Sequence, residues 1–87
     1  MQGQECTHAG WTTVLNGKKI CRKFQFKDFV EAMRFVGKVA DIAEQTQHHP
    51  DIRVVYNKVT LELTTHDASG LSEKDFQLAA KIDELNK

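Results

Sequence analysis

Three of the four histidines in this chain of 87 residues fall in two short polar stretches. Glu44-Gln-Thr-Gln-His48-His49-Pro50 carries two of them, and Thr65-His66-Asp67 carries the third. An unperturbed histidine titrates near pH ~6.5 and can give or take a proton at working pH. Most of the near-neutral acid–base capacity of the chain is thus held in two places, which points to proton transfer before any other chemistry.

Glu44 and His48 are spaced to share one face of a helix end, where the carboxylate and the helix dipole both favour positive charge on the ring. The plainer alternative is a Glu–His pair on a solvated helix terminus. His48 and His49 are neighbours, so their rings cannot point the same way. Pro50 disfavours helical geometry at His49, so the helix must stop there and the rings are fixed at a corner rather than on a loose loop. Pro50 itself is structural on any reading. His66 would leave the apolar side of a strand, and a hairpin from Ile52 to Thr65 would return it to the paired histidines. Asp67 could orient His66 or simply cap a turn. Three histidines with a carboxylate could also hold zinc, but the adjacency of His48 and His49 makes joint ligation of one ion awkward, and we expect no metal. The sequence has no serine nucleophile elbow, phosphate-binding glycine loop or dinucleotide fingerprint, so neither covalent catalysis nor a bound cofactor is expected.

The spacing of apolar residues says what must position these groups. Thr12–Leu15 reads as a short strand, and Asn16-Gly17 supplies the two positive-φ positions of a tight hairpin turn. Lys19–Phe26 alternates, with Ile20, Phe24 and Phe26 on one side. Arg22 interrupts that side, with only its stem expected to be buried. The period then changes. Phe29, Met33, Val36, Ala40 and Ala43 form one helical stripe, and Ala32, Phe35, Val39 and Ile42 form a second beside it, over about Asp28 to Thr46. Asp28 and Glu31 have capping-box spacing. Two stripes exceed what a small sheet covers, so this helix is expected also to meet another helix or another subunit. After Pro50, Ile52, Val54 and Tyr56 alternate with Arg53 and Val55. Asn57-Lys58 is the expected turn, and Val59, Leu61 and Leu63 mark a half-solvated strand. Ala68-Ser69-Gly70 is a loop. Ser72 and Asp75 form a second capping box, with Leu71 and Phe76 as a hydrophobic staple, ahead of a last helix carrying Leu78, Ala79, Ile82 and Leu85. Capping accounts for Asp75 without chemistry. The order β-β-α-β-β-α predicts an α+β fold, a four-stranded antiparallel sheet with helices packed on one face.

This length fits one domain, with residues 1–10 as a polar lead-in and 11–87 as the folded unit. A domain so small removes only ~60–65% of its unfolded surface from water, so a partner subunit would help. Hydrophobic residues at 40% support a globule rather than disorder. Lys+Arg and Asp+Glu are both 12, and this balance argues against direct nucleic-acid binding and against a polybasic membrane contact. No segment approaches the ~20 apolar residues that cross a bilayer, and the N-terminus lacks a signal-peptide pattern. The expected location is cytoplasmic, with a nucleus open to so small a chain. Without secretory context, Cys6 in the tail and Cys21 in a strand are expected as free thiols rather than as a disulfide. Trp11, the only tryptophan, reads first as a lid on a thin core and second as a wall for a flat heterocycle.

Glu44-x-x-x-His48-His49-Pro50, Tyr56-Asn57-Lys58-Val59, Thr65-His66-Asp67 and Gly70-Leu71-Ser72-x-x-Asp75, with Trp11 and Phe24-x-Phe26-x-x-Phe29 upstream, together resemble the pterin-4a-carbinolamine dehydratase family over about residues 10–85. The resemblance implies a hydro-lyase that removes water across N5 and C4a of 4a-hydroxytetrahydropterins such as 4a-hydroxytetrahydrobiopterin. The product would be a quinonoid dihydropterin, reduced and returned to aromatic amino acid hydroxylases. The family's catalytic histidines fall on His48, His49 and His66, and its supporting acid falls on Glu44. Its pocket tryptophan falls on Trp11 and its acidic position on Asp75, while Pro50, Thr65 and Asp67 complete the expected pterin-binding set. The resemblance also implies dimers or dimers of dimers and, for some animal members, a second role in stabilising a homeodomain transcription factor dimer. Family members commonly carry a helix ahead of the tryptophan, whereas the ten residues before Trp11 here include Gly3 and Gly10. The implied chemistry needs positioned acid–base groups and no electron carrier. His48 or His66 would be the acid at the C4a hydroxyl, according to stereochemistry. His49 would orient the pterin and receive the N5 proton, and Glu44 would tune His48. A non-catalytic dimerisation or protein-binding adaptor is the alternative, suggested by the broad apolar helix face.

Overall fold

The computed structural model describes residues 6–14, 17–65 and 70–86. Leu15 and Asn16 of the expected first hairpin, and the His66, Asp67, Ala68 and Ser69 segment, lie outside the described residues. The elements are β1 (Thr12–Val14), β2 (Lys19–Gln25), α1 (Phe29–Thr46), β3 (Asp51–Val55), β4 (Lys58–Leu63) and α2 (Glu73–Leu85). They follow the order that the apolar periods predict. The strands form one antiparallel sheet in the order β1-β2-β4-β3, so the two hairpins meet along β2 and β4. Register is set by alternation, because a one-residue slip would turn every apolar side chain to the wrong face. Ile20 lies opposite Leu63 and Phe24 opposite Val59. On β3, Ile52 lies opposite Leu61.

Both helices cover the same face. Ile20, Phe24, Val59, Leu61 and Leu63 from the sheet pack with Ala32, Phe35 and Val39 from α1 and Leu78, Ala79 and Ile82 from α2. Of the two stripes on α1, the one through Ala32, Phe35 and Val39 is buried, and of the other only Ala43 at its end is. Phe29 and Met33 of the other remain 49% and 42% exposed. At the start of α1, the Asp28 carboxylate accepts the Glu31 N–H at 2.9 Å. Glu31 reaches back to the Lys27 N–H at 3.3 Å, one residue earlier than a reciprocal box requires. At its end Gln47 is left-handed, with φ 56°. The Ala43 carbonyl accepts from the N–H groups of Gln47 and His48, closing the helix.

Several expectations need correction. The β3–β4 turn sits one residue earlier than Asn57-Lys58, because Tyr56 takes φ 55° and leaves the strand. Asn57 then docks on β2, donating its side-chain amide to the Phe26 carbonyl at 2.9 Å and accepting the Phe26 N–H at 2.9 Å. Arg22 has more than its stem in play. Its guanidinium meets Asp83 of α2 at 2.7 Å and lies 4.8 Å over the Phe24 ring. Leu71 packs on the core, but Phe76 stands largely exposed and makes a poor staple. Cys6 and Cys21 are disulfide-bonded rather than free, with Cα atoms 5.4 Å apart. Residues 6–10 make this possible by folding back over β2, where the Thr7 carbonyl accepts the Lys23 N–H at 2.9 Å. Among the described residues, no helix is long and apolar enough to cross a membrane.

Candidate active site

The corner between α1 and β3 and the far end of β4 come together because β3 and β4 pair with Asp51 opposite Glu62. Between them lies a cleft of about 580 Å³. Gln47, His48, His49, Pro50 and Asp51 form one wall, and Glu62, Thr64 and Thr65 form the other. Lys19 of β2 and Lys74 in the first turn of α2 close its ends. Thr65 is held at this edge by paired backbone bonds to Gly70, at 2.8 and 3.2 Å.

The two histidines face different partners, as their adjacency requires. The left-handed Gln47 turns the chain so that His48 swings towards α2, while His49 falls back over the last turns of α1. His48 Nε2–H donates to Asp75 Oδ1 at 2.5 Å. His49 Nε2–H donates to Glu44 Oε2 at 2.6 Å. The expected Glu44–His48 pair is therefore replaced. Sharing a face would need the helix to continue through residue 48, and it stops at Thr46. The settings differ too, with the His48 side chain 13% exposed and that of His49 58% exposed.

Asp75 is more than a cap. It is 0% exposed, a placement that is rare for a carboxylate unless its oxygens are fully engaged. Oδ2 accepts the Ser72 N–H at 2.9 Å, which is the capping contact, and also the Thr65 hydroxyl at 2.8 Å. Because Thr65 donates to the carboxylate, the 2.7 Å contact between Thr65 and Ser72 hydroxyls must run from Ser72 to Thr65. One buried carboxylate thus joins His48, the end of β4 and the start of α2. It stands behind His48 and is absent from the cleft lining.

Each histidine spends Nε2 on a carboxylate and keeps Nδ1 for other chemistry. Two imidazoles fixed in this way on one polar cleft can carry a proton to one atom of a bound heterocycle and remove a proton from another.

The cleft gathers His48, His49, Pro50 and Thr65 of the expected set, with Glu44 and Asp75 supporting them. His66 and Asp67 lie outside the described residues. Trp11 is not brought to the cleft. Its Nε1–H donates to Asp83 at 3.0 Å and its ring meets Phe24 edge-on at 6.3 Å. Asp83 is eight residues beyond Asp75 on α2, roughly 12 Å along a helix, so Trp11 lids the core instead. Sequence reasoning missed Lys19, Gln47, Asp51, Glu62, Thr64 and Lys74 as lining residues. The only signal for the strand residues was the outward parity of Lys19 and Glu62, which a solvated face explains equally well.

A family model described as Pterin 4 alpha carbinolamine dehydratase matches residues 2–85. A protein of Koribacter versatilis, provisionally named pterin-4-alpha-carbinolamine dehydratase, is 52% identical over 77 residues, spanning 88% of this chain and 80% of that protein. A like-named protein of Picosynechococcus sp. is 52% identical over 85 residues, spanning 98% of this chain and 90% of its own. The crystal structure of a transcriptional coactivator/pterin dehydratase from Brucella melitensis has a TM-score of 0.85 at 37% identity, covering 90% of this chain and 83% of that one. A pterin dehydratase-like RuBisCO assembly factor of the alpha-carboxysome has the same fold, with a TM-score of 0.77 at 23% identity and 90% of both chains covered.

Proposed function

This chain belongs to the Pterin 4 alpha carbinolamine dehydratase family, and on that footing we propose that it dehydrates 4a-hydroxytetrahydropterins to quinonoid dihydropterins, as in tetrahydrobiopterin recycling. One observation carries this reading. His48 and His49 line one cleft, each anchored through Nε2 by its own carboxylate. Loss of water across N5 and C4a needs a proton delivered to the departing hydroxyl and a proton taken from N5. That is work for two positioned acid–base groups. His48, braced by buried Asp75, delivers the proton to the C4a hydroxyl. His49, steadied by Glu44, orients the pterin and takes the N5 proton. Thr65 and Pro50 shape the cleft around the ring system. His66 enters from the motif alone, as the acid for the opposite C4a epimer. The chain's own groups suffice for this chemistry, in the cytoplasm and in a homo-oligomer. A coupled aromatic amino acid hydroxylase assay tests it. Folded protein should speed the decay of 4a-hydroxypterin absorbance, and a decay rate equal to buffer with both C4a epimers would refute it.

A protein-binding adaptor is the second reading. It is favoured by Phe29 and Met33 standing half-exposed on α1 and by the coactivator role in the name of the Brucella melitensis protein. A stable heteromeric partner, retained by a variant lacking both His48 and His66 and found beside an inactive wild type, would favour it.

A further inference from the structure

The Cys6–Cys21 bond takes no part in the proposed proton transfers. Cys21 points to the open face of the sheet, away from the helices, yet it is 0% exposed. Among the described residues the cover begins at Cys6, bonded to Cys21. From there the chain passes Thr7, whose carbonyl accepts the Lys23 N–H at 2.9 Å, and His8, whose carbonyl meets the Arg22 guanidinium at 3.5 Å. It arrives on the helix side at Trp11, tied to Asp83 at 3.0 Å. Residues 6–11 therefore form a strap that begins on one face of the sheet and ends on the other. Among the described residues, its hydrogen bonds near Cys6 are one backbone bond and one long polar contact, each a modest contribution in water. The covalent bond is what holds that end. Cys21 is also the cross-strand partner of Glu62. The Glu62 carboxylate meets Lys19 at 3.5 Å, and both residues line the cleft.

We infer that Cys6–Cys21 is a redox latch, closed as the disulfide and opened by a dithiol reductant, and that opening it loosens the strap and is felt at the Lys19–Glu62 wall of the cleft. Attack falls on the Cys6 sulfur, since Cys6 is partly exposed and Cys21 is not. A thiolate of the reductant displaces Cys21 as its thiolate and forms a mixed disulfide with Cys6. The second thiol of the reductant then releases Cys6. Two electrons and two protons pass to the protein, and the reductant leaves as its own disulfide. Lys23 stands beside Cys21 on the same face of β2 and puts positive charge near the leaving sulfur, while the charge of Lys19 on the other side is met by Glu62. An oxidising compartment would keep the latch closed and a reducing one would open it.

Native-state labelling with a maleimide, before and after dithiothreitol, tests the latch in the full chain. The oxidised protein should take up no label. The reduced protein should take it up at Cys21 as well as Cys6 without denaturant. Emission of Trp11 should move to longer wavelength on reduction and return on reoxidation. Cys6→Ser should label at Cys21 in all conditions, and its emission should ignore dithiothreitol. Reduced wild type whose Cys21 stays unreactive until denaturant is added, with unchanged emission, would overturn the proposal, as would a chain that never oxidises. A kinetic arm rests on the dehydratase function. Reduction should raise KM for the hydroxypterin at constant kcat, and equal KM in both states would refute the link to the cleft. A protein inactive in both states would refute that function, while labelling still decides the latch.

Discussion

Asp75 is the residue whose removal should matter most, and its contacts allow the size of the effect to be worked out. Asp75→Ala leaves three donors without an acceptor: His48 Nε2–H at 2.5 Å, the Thr65 hydroxyl at 2.8 Å and the Ser72 N–H at 2.9 Å. A hydrogen bond to a charged group contributes about 1.5–3 kcal/mol net. Simple addition overshoots, because one carboxylate serves all three and its own burial opposes folding. Removing one partner of a buried ionic contact typically costs about 3–5 kcal/mol, and we take that as the expected loss. For a domain of this size each kcal/mol moves Tm by about 4–8 °C, so the melt should fall by at least about 12 °C. Asp75→Asn separates stability from chemistry. Its carbonyl oxygen can still serve Thr65 and Ser72, so it should melt well above the alanine variant. Its amide, however, donates to His48 Nε2 and fixes the neutral ring with its proton on Nδ1. Such a ring can offer a hydrogen bond but cannot release the proton without becoming an imidazolate. Turnover should drop by about 10²–10⁴-fold, the range for one general acid–base group. Circular dichroism melts and the coupled hydroxylase assay measure the two effects separately. An alanine variant melting within a few degrees of wild type would refute the account of the buried network. An asparagine variant with normal kcat would refute the role given to His48.

His48→Ala and His66→Ala should each slow turnover by about 10²–10⁴-fold on the matching C4a epimer, with smaller losses on a racemic substrate. The double variant should lose far more, and near-normal turnover in it would exclude the assignment. Glu44→Gln should leave the melt within about 1 kcal/mol of wild type, because its pair with His49 is largely exposed, while lowering the rate. An unchanged rate would remove Glu44 from the site. Treatment with a strong chelator and dialysis should leave activity intact, and loss restored stoichiometrically by zinc would replace acid–base catalysis with a Lewis-acid site. Sedimentation equilibrium at micromolar concentration should give at least twice the chain mass, and Met33→Glu should lower it. A wild-type monomer would show that the exposed α1 stripe needs no partner.

The architecture was legible because each element declares its period. Ile20, Phe24, Leu61 and Leu63 alternate as strands must, and Ala32, Phe35 and Val39 recur as a helix must. The corner at Pro50 was legible for a similarly local reason, since proline stops a helix whatever surrounds it. The pairing of each histidine was not. Glu44 and His48 have helical spacing, and only the left-handed turn at Gln47, an ordinary glutamine in sequence, redirects them. Asp75 meets His48 across 27 residues, and its capping spacing accounts for an acidic residue there without any distant partner. Tyr56 moved the turn by one residue because docking Asn57 on Phe26 outweighs the reluctance of an aromatic residue to take positive φ. The disulfide depended on how residues 6–10 fold back over β2, and the lead-in sequence carries no period at all.

Gln47 has a mechanical consequence. By dividing two neighbouring histidines between Glu44 of α1 and Asp75 of α2, it makes the distance between the imidazoles depend on how the two helices sit against each other. That seating is set in the shared core by residues such as Val39, Leu78 and Ile82, none of which touches the cleft. A volume change there would move one ring relative to the other as a calliper transmits displacement from its hinge to its jaws. Cores are close-packed and pass on such strain. Variants selected only for tighter packing should therefore shift turnover as well as melting temperature, and natural sequences of this fold would be constrained in their interior by the geometry of a reaction at their surface.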